Sequence, residues 1–169
     1  GGRAMALIVE DGTGMATAES YISVAAADDY LNKRNRDATW TTYTTPQKEG
    51  YLRAATEYLD AMCSWRGSVA NEDQALGWPR FDASDKWDRL IANNVVPQLV
   101  KVATVEIASQ GAIAQTGEQM IRSETVGPIS VTYETTQDRT VGSALYQLAF
   151  DLVASLTDNR GGSIPVVRS

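Results

Sequence analysis

The side chains that could do chemistry are few and scattered. The 169-residue chain contains no histidine, which removes the commonest general base and metal ligand. Carboxylates could still move protons, and the one thiol, Cys63, could attack an electrophile. Cys63 follows Met62 and lies close to Trp65 in a stretch that reads as helix. Without a histidine to take its proton it reads as a structural cysteine, not a nucleophile. Glu10-Asp11 could supply half of a metal site, but Gly12-Thr13-Gly14 follows at once, and no calcium-loop spacing of ligands continues from it. A turn is the simpler reading. Glu72-Asp73 and the series Asp82, Asp85, Asp88 read as solvated loop and capping residues. There is no phosphate-binding loop with its lysine and hydroxyl, and no dinucleotide fingerprint. Trp40, Trp65, Trp78 and Trp87 could stack on nucleic-acid bases. Their neighbourhoods do not form a basic groove, so they read as core or loop anchors. The expectation is a protein that binds, with no catalytic residue, no metal and no cofactor.

Charge narrows what it could bind. Fifteen basic against 21 acidic side chains leave a formal charge of -6, which opposes a general attraction to phosphate backbones. A single cysteine allows no intrachain disulfide and fits a reducing compartment. No apolar run approaches the roughly 20 residues of a membrane-spanning helix. Nor does a basic stretch followed by an apolar one mark a secretory leader. Gly1 to Ala4 precede Met5 and are set aside as a cloning remnant.

The elements that must position these residues are mostly helical. Ala6-Leu7-Ile8-Val9 is a short apolar run closed by two glycines, a short N-terminal strand that needs a partner elsewhere. Ser23 can cap a helix to about Lys33, with Val24, Ala27 and Leu31 on one side. Thr45-Pro46 starts a second helix, with Leu52, Ala55, Leu59 and Met62 as its stripe and Gly67 as terminator. Lys48, Arg53, Glu57 and Asp60 take its solvated positions. Residues 68–93 have weak periodicity and read as turns or a short helix, in which Trp78, Phe81 and Trp87 could pin the connection against the domain. Asn94 can cap a third helix over 95–110, apolar over much of its circumference and therefore central. Residues 120–126 and 129–133 then alternate as two strands around Gly127-Pro128. A last helix from about Thr140 places Val141, Leu145, Leu148, Leu152 and Leu156 in a seam, with Tyr146, Phe150 and Val153 widening it. The fold class is mainly α: a helical, bundle-like core with a small β-hairpin and a short N-terminal strand. Residues 5–162 form one domain, and 163–169 form a C-terminal arm.

Several blocks carry a resemblance. Met5-Ala6-Leu7-Ile8-Val9-Glu10-Asp11-Gly12-Thr13-Gly14 is followed by Ala18-Glu19-Ser20-Tyr21-Ile22-Ser23. Arg53-Ala54-Ala55-Thr56-Glu57-Tyr58-Leu59-Asp60, Trp65-Arg66-Gly67 and Gln74-Ala75-Leu76-Gly77-Trp78-Pro79-Arg80 come next. Val96-Pro97 and Val126-Gly127-Pro128-Ile129-Ser130-Val131 complete the series. Together they resemble a tailed-phage family that carries a DnaT-like label and is associated with head-tail connectors or head-completion adaptors. The resemblance implies a non-enzymatic ring between portal and tail, in the neck of a virion assembled in the bacterial cytoplasm. Its partners would be homotypic neighbours in the ring, the portal protein and a tail-completion or tail protein. DNA would pass through the channel without strong binding, and no membrane would be involved. Each subunit of such a ring binds its two neighbours through different surfaces. On this reading Tyr133 in the hairpin, and Ile164, Val166 and Val167 in the arm, are the candidate assembly contacts. The label also implies an alternative, a primosome-like module binding single-stranded DNA. That would need Lys33, Arg34, Arg36, Arg53 and Arg66 to converge with exposed aromatic rings.

Overall fold

The computed structural model describes residues 6–111 and 146–158. Helix α1 spans Val24–Lys33, and the Ser23 hydroxyl accepts from the Ala26 amide at 3.1 Å, as a cap should. Helix α2 spans Thr45–Met62. Its cap is Thr44, one residue earlier than expected. Gln47 explains the shift: its side chain accepts from the Thr44 amide at 2.9 Å while the Thr44 hydroxyl accepts from the Gln47 amide at 3.3 Å. A cap at Thr45 would put Lys48 in the reciprocal position, and an ammonium group cannot accept a hydrogen bond.

Helix α2 stops at Met62, well before Gly67. From Cys63 the chain is extended, because Trp65 bridges to Thr157 and the Arg66 amide donates to the Leu156 carbonyl at 3.0 Å. Gly67 (φ +77) instead feeds strand β1, Ser68–Val69, which pairs antiparallel with β2, Arg80–Phe81. Between the two strands, the Trp78-Pro79 peptide is cis. This pair is the small antiparallel element of the fold. The strands expected over 120–133, Tyr133 included, lie outside the described residues. So does the arm with Ile164, Val166 and Val167.

Helix α3 spans Gln98–Ala108, three residues shorter at its start than the reading from Asn94. Pro97 occupies the N-cap, and no side chain caps the helix. The Asn94 carbonyl is instead packed against Gly12 (φ +102), where a Cβ would lie 2.2 Å from it. The centrality of α3 follows from its composition. Val100, Ala103, Thr104, Val105, Glu106, Ile107 and Ala108 are all buried, and α3 packs on both α1 and α2.

The N-terminal apolar run finds its partner within the chain. Val9 bridges Ser20 in parallel, supported by the Glu10 amide donating to the Ser20 carbonyl at 2.9 Å. At the other end, residues 146–153 are helical and pass into a 3-10 turn at Ala154–Leu156. Tyr146, Ala149, Val153 and Leu156 face the core, whereas Leu148 is 48% exposed. The buried face is therefore rotated from the expected leucine seam toward Tyr146 and Val153. Tyr58 of α2 decides that rotation: its ring meets Tyr146 edge-on at 5.2 Å and Phe150 at 6.0 Å.

Candidate functional site

One buried carboxylate and one largely covered carboxylate set the frame on which the exposed residues sit. Glu10 is 2% exposed, and its carboxylate accepts the amides of Gly12 (2.9 Å), Gly14 (2.7 Å) and Met15 (2.9 Å). These donors make it the hub of a turn, as the glycines suggested, and leave it no role as a metal ligand. Asp60, expected on the solvated face of α2, accepts from the Tyr21 hydroxyl (2.5 Å), the Trp65 indole (2.9 Å) and the Gly77 amide (3.1 Å). Burial pushes its carboxyl above the ordinary range despite those donors. Trp65 and Trp78 pack edge to face above it at 5.6 Å. The connection after α2 is thus pinned by Trp78, not by the full set of aromatic residues expected there.

Phe81 and Trp87 depart from that expectation. Phe81 is 42% exposed and Trp87 64% exposed. Asp85 builds the loop that displays Trp87. One carboxylate oxygen accepts the Trp87 and Arg89 amides, each at 2.9 Å, and the other accepts the Arg89 guanidinium at 2.9 Å. The backbone closes the same turn through Asp85 amide to Arg89 carbonyl and Asp88 amide to Asp85 carbonyl, both 2.9 Å. Hydrogen bonding from the Arg89 backbone lowers the Asp85 carboxyl. Lys86 and Arg89 lie over the indole at 4.8 and 4.9 Å from its centre. The outcome is a fixed, aromatic tip flanked by cations.

A second feature is a groove of about 570 Å³ between α1 and the start of α3. Tyr30, Lys33, Arg34 and Lys101 line it, together with Val9, Ile22 and Val102. Lys33 pairs with Asp29 at 3.0 Å, and Arg34 stacks on the Tyr30 ring at 3.8 Å. The basic residues expected to converge do so only in part. Lys33 and Arg34 share this groove. Arg36 is committed to Glu106, a buried α3 carboxylate that also accepts from the Tyr30 hydroxyl at 2.5 Å. Burial, with help from Glu106, pushes the Tyr30 phenol up to about 12. Arg53 pairs with Glu19 at 3.0 Å, and Arg66 donates to the Thr157 carbonyl at 3.0 Å, so both serve other parts of the fold. Arg36→Ala should cost about 2 kcal/mol in urea unfolding, because it strands a buried carboxylate, although the half-exposed guanidinium tempers the loss. An unchanged midpoint would show that Glu106 does not depend on it.

Cys63 is buried, and burial pushes its thiol up to about 12, so it holds little thiolate at neutral pH. Among the described residues no group of three or more His, Cys, Asp or Glu could hold a metal ion, and no helix is long and apolar enough to cross a membrane. Trp40, Trp65 and Trp78 are buried, which leaves Trp87 as the tryptophan available to a ligand. Its exposure had no signal in local sequence, since an aromatic residue in a loop normally packs inward. The candidate contacts Tyr133, Ile164, Val166 and Val167 fall outside the described residues, so the surfaces identified here rest on other side chains.

No curated protein and no solved structure matches the chain. A family profile matches residues 5–169, nearly the whole sequence, with the N-terminal glycine turn, the α2 network and the α1–α3 groove all inside the match. With that coverage, the chain belongs to the family described as Putative DnaT-like ssDNA binding protein.

Proposed function

We propose that this protein is a structural adaptor that binds other protein chains, forming a ring between a phage portal and tail and helping to complete the DNA-filled head. The observation that carries this reading is the connection between α2 and α3. Val69, Phe81, Trp87, Leu90 and Val95 are all substantially exposed on it, held by a hairpin and by the Asp85 turn. Large apolar groups kept in water on a fixed backbone are the usual mark of a surface that docks on protein. The charge pattern supports the same reading. A net charge of -6, with Arg36, Arg53 and Arg89 each paired to a carboxylate, leaves little positive field for nucleic acid. The ordered blocks from Met5 to Val131 add the resemblance to connector proteins. Mixing the protein with the portal of the same phage and imaging the particles tests it. A ring seated on the portal is expected; no binding to portal or tail components under capsid-stabilising conditions would overturn it.

The second reading is single-stranded DNA binding, which the family description favours directly. Its best structural support is Trp87 between Lys86 and Arg89, a stacking face with cations beside it, together with Lys33, Arg34 and Lys101 in the groove. With the other three tryptophans buried, Trp87 is the natural fluorescence reporter. On the adaptor reading, titration with oligothymidylate at roughly 0.15 M salt produces little quenching, and what there is disappears as salt rises. Saturable quenching at that salt, abolished in Trp87→Phe emission and weakened tenfold by Trp87→Ala in an anisotropy assay, would transfer the conclusion to the DNA reading.

A further inference from the structure

In the α1–α3 groove, apolar walls meet cations that no carboxylate neutralises. We propose that this groove docks a short acidic segment of a partner protein, one that carries a carboxylate next to a branched apolar side chain. The inference rests on the adaptor reading for the partner's being a protein. It gives the groove a role separate from that of the exposed connection between α2 and α3.

The charges that line the groove are Asp29, Lys33, Arg34 and Lys101. Lys33 is paired with Asp29 at 3.0 Å. Arg34 and Lys101 have no carboxylate partner among the described residues, so two positive charges remain. Glu106, which accepts from the Tyr30 hydroxyl, is offset by Arg36 and does not cancel that excess. Arg34 is also held in place. Its guanidinium stacks on the Tyr30 ring at 3.8 Å and donates to the Tyr30 carbonyl at 3.2 Å. A guanidinium fixed in this way still has donors for a carboxylate and loses little freedom in pairing with one.

Beside these cations, Val9, Ile22 and Val102 give the groove an apolar wall, and its volume of about 570 Å³ admits a side chain or two. An apolar side chain seated there leaves water as its neighbouring carboxylate meets Arg34 and Lys101. A nucleic-acid strand fits less well, for two reasons. The groove offers no open ring to stack on, since Tyr21 is fully buried and one face of Tyr30 is covered by Arg34. The positive field is also short. Across α1, a neighbouring depression of about 380 Å³ is lined by Asp28, Asp29 and Asp37 against the one cation of Lys48. A strand with a phosphate on every nucleotide that continued across α1 would pass from two cations onto three carboxylates. A single acidic side chain avoids them.

Anisotropy titrations at about 0.15 M salt test this with defined probes. They are a fluorescein-labelled hexapeptide of alternating Asp and Leu, its Asn–Leu and Asp–Ser counterparts, and oligothymidylate of six nucleotides. The Asp–Leu peptide should bind at least tenfold more tightly than each of the others and shift amide resonances within residues 23–34 and 98–102. Arg34→Glu/Lys101→Glu should lose that peptide at least tenfold and gain the Lys–Leu counterpart, a switch that misfolded protein cannot show. Equal binding of the acidic and neutral peptides, tighter binding of oligothymidylate, or no switch in the variant would overturn the inference. Particle imaging separates its failure from that of the adaptor reading. If Arg34→Glu/Lys101→Glu engages portal and tail components as well as the wild type does, the adaptor reading survives and this docking does not. Wild-type protein that engages neither removes the adaptor reading itself, and with it the protein partner inferred for the groove.

Discussion

Asp60→Ala should lower the stability of the protein by about 3 kcal/mol, because each buried donor that loses its only strong acceptor costs about 1–3 kcal/mol. The substitution removes the common acceptor of the Tyr21 hydroxyl, the Trp65 indole and the Gly77 amide. Tyr21 is fully buried and Trp65 nearly so, which limits replacement by water. The Gly77 amide retains the Tyr21 hydroxyl oxygen at 3.0 Å, so the three losses do not add fully. Chemical denaturation monitored by tryptophan fluorescence measures the change. A loss under about 0.5 kcal/mol would mean that the network relaxes around the gap. Asp60→Asn adds a test of charge. Burial raises the Asp60 carboxyl in the folded protein, so the folded state holds that proton more tightly than the unfolded chain. The associated stability is fully present below the ordinary carboxyl range and is lost as pH rises through the folded value. The stability difference between wild type and Asp60→Asn should therefore shrink as pH rises from the ordinary aspartate range through the raised one. A difference that grows over that window would reverse the assignment.

Gly67→Ala is the second large effect. A Cβ at this position would lie 1.9 Å from the Phe81 carbonyl, and the backbone sits at φ +77. Neither problem is relieved by a side-chain movement, because the obstacle is main chain of the paired strand. The left-handed conformation alone costs an ordinary residue about 1–2 kcal/mol, and separating β1 from β2 adds to it. The expected loss is about 3 kcal/mol, together with a less rigid presentation of the loop beyond Phe81. Trp87 emission in the folded variant should broaden or shift, which thermal unfolding would not reveal. Unchanged stability would mean that the hairpin does not close as tightly as described.

What was legible in the sequence follows the range of the forces involved. Ser23 announces α1 because a cap acts within three residues, and the apolar circumference of α3 announces its burial. The start of α2 slipped by one residue, since Thr44 and Thr45 are both capping types and only the partner at Gln47 separates them. Its end was misplaced further. Ser64 to Arg66 leave the helix to pair with chain some ninety positions later, and no local pattern reports such a partner. Asp60 continues the polar stripe of α2, yet the 65–80 connection folds over that end of the helix and covers its carboxylate. The same limit governs the candidate site. Lys33 and Arg34 do share a surface, but Arg36, Arg53 and Arg66 are claimed by Glu106, Glu19 and Thr157. Residue type alone points Trp87 inward, and the Asp85 turn that holds it outward is visible only once the loop is closed.

The near-complete enclosure of α3 has a consequence for how the molecule opens. Its amides are hydrogen-bonded inside a helix whose sides are covered by α1 and α2, so no fraying of an edge exposes them. In deuterated solvent the amide protons of Thr104 to Ala108 should be among the slowest to exchange, with protection approaching that of complete unfolding. The Asp85 loop and the hairpin before it should exchange orders of magnitude sooner. On the proposed adaptor reading, contacts made through that outer segment can rearrange repeatedly while the helix at the centre stays closed.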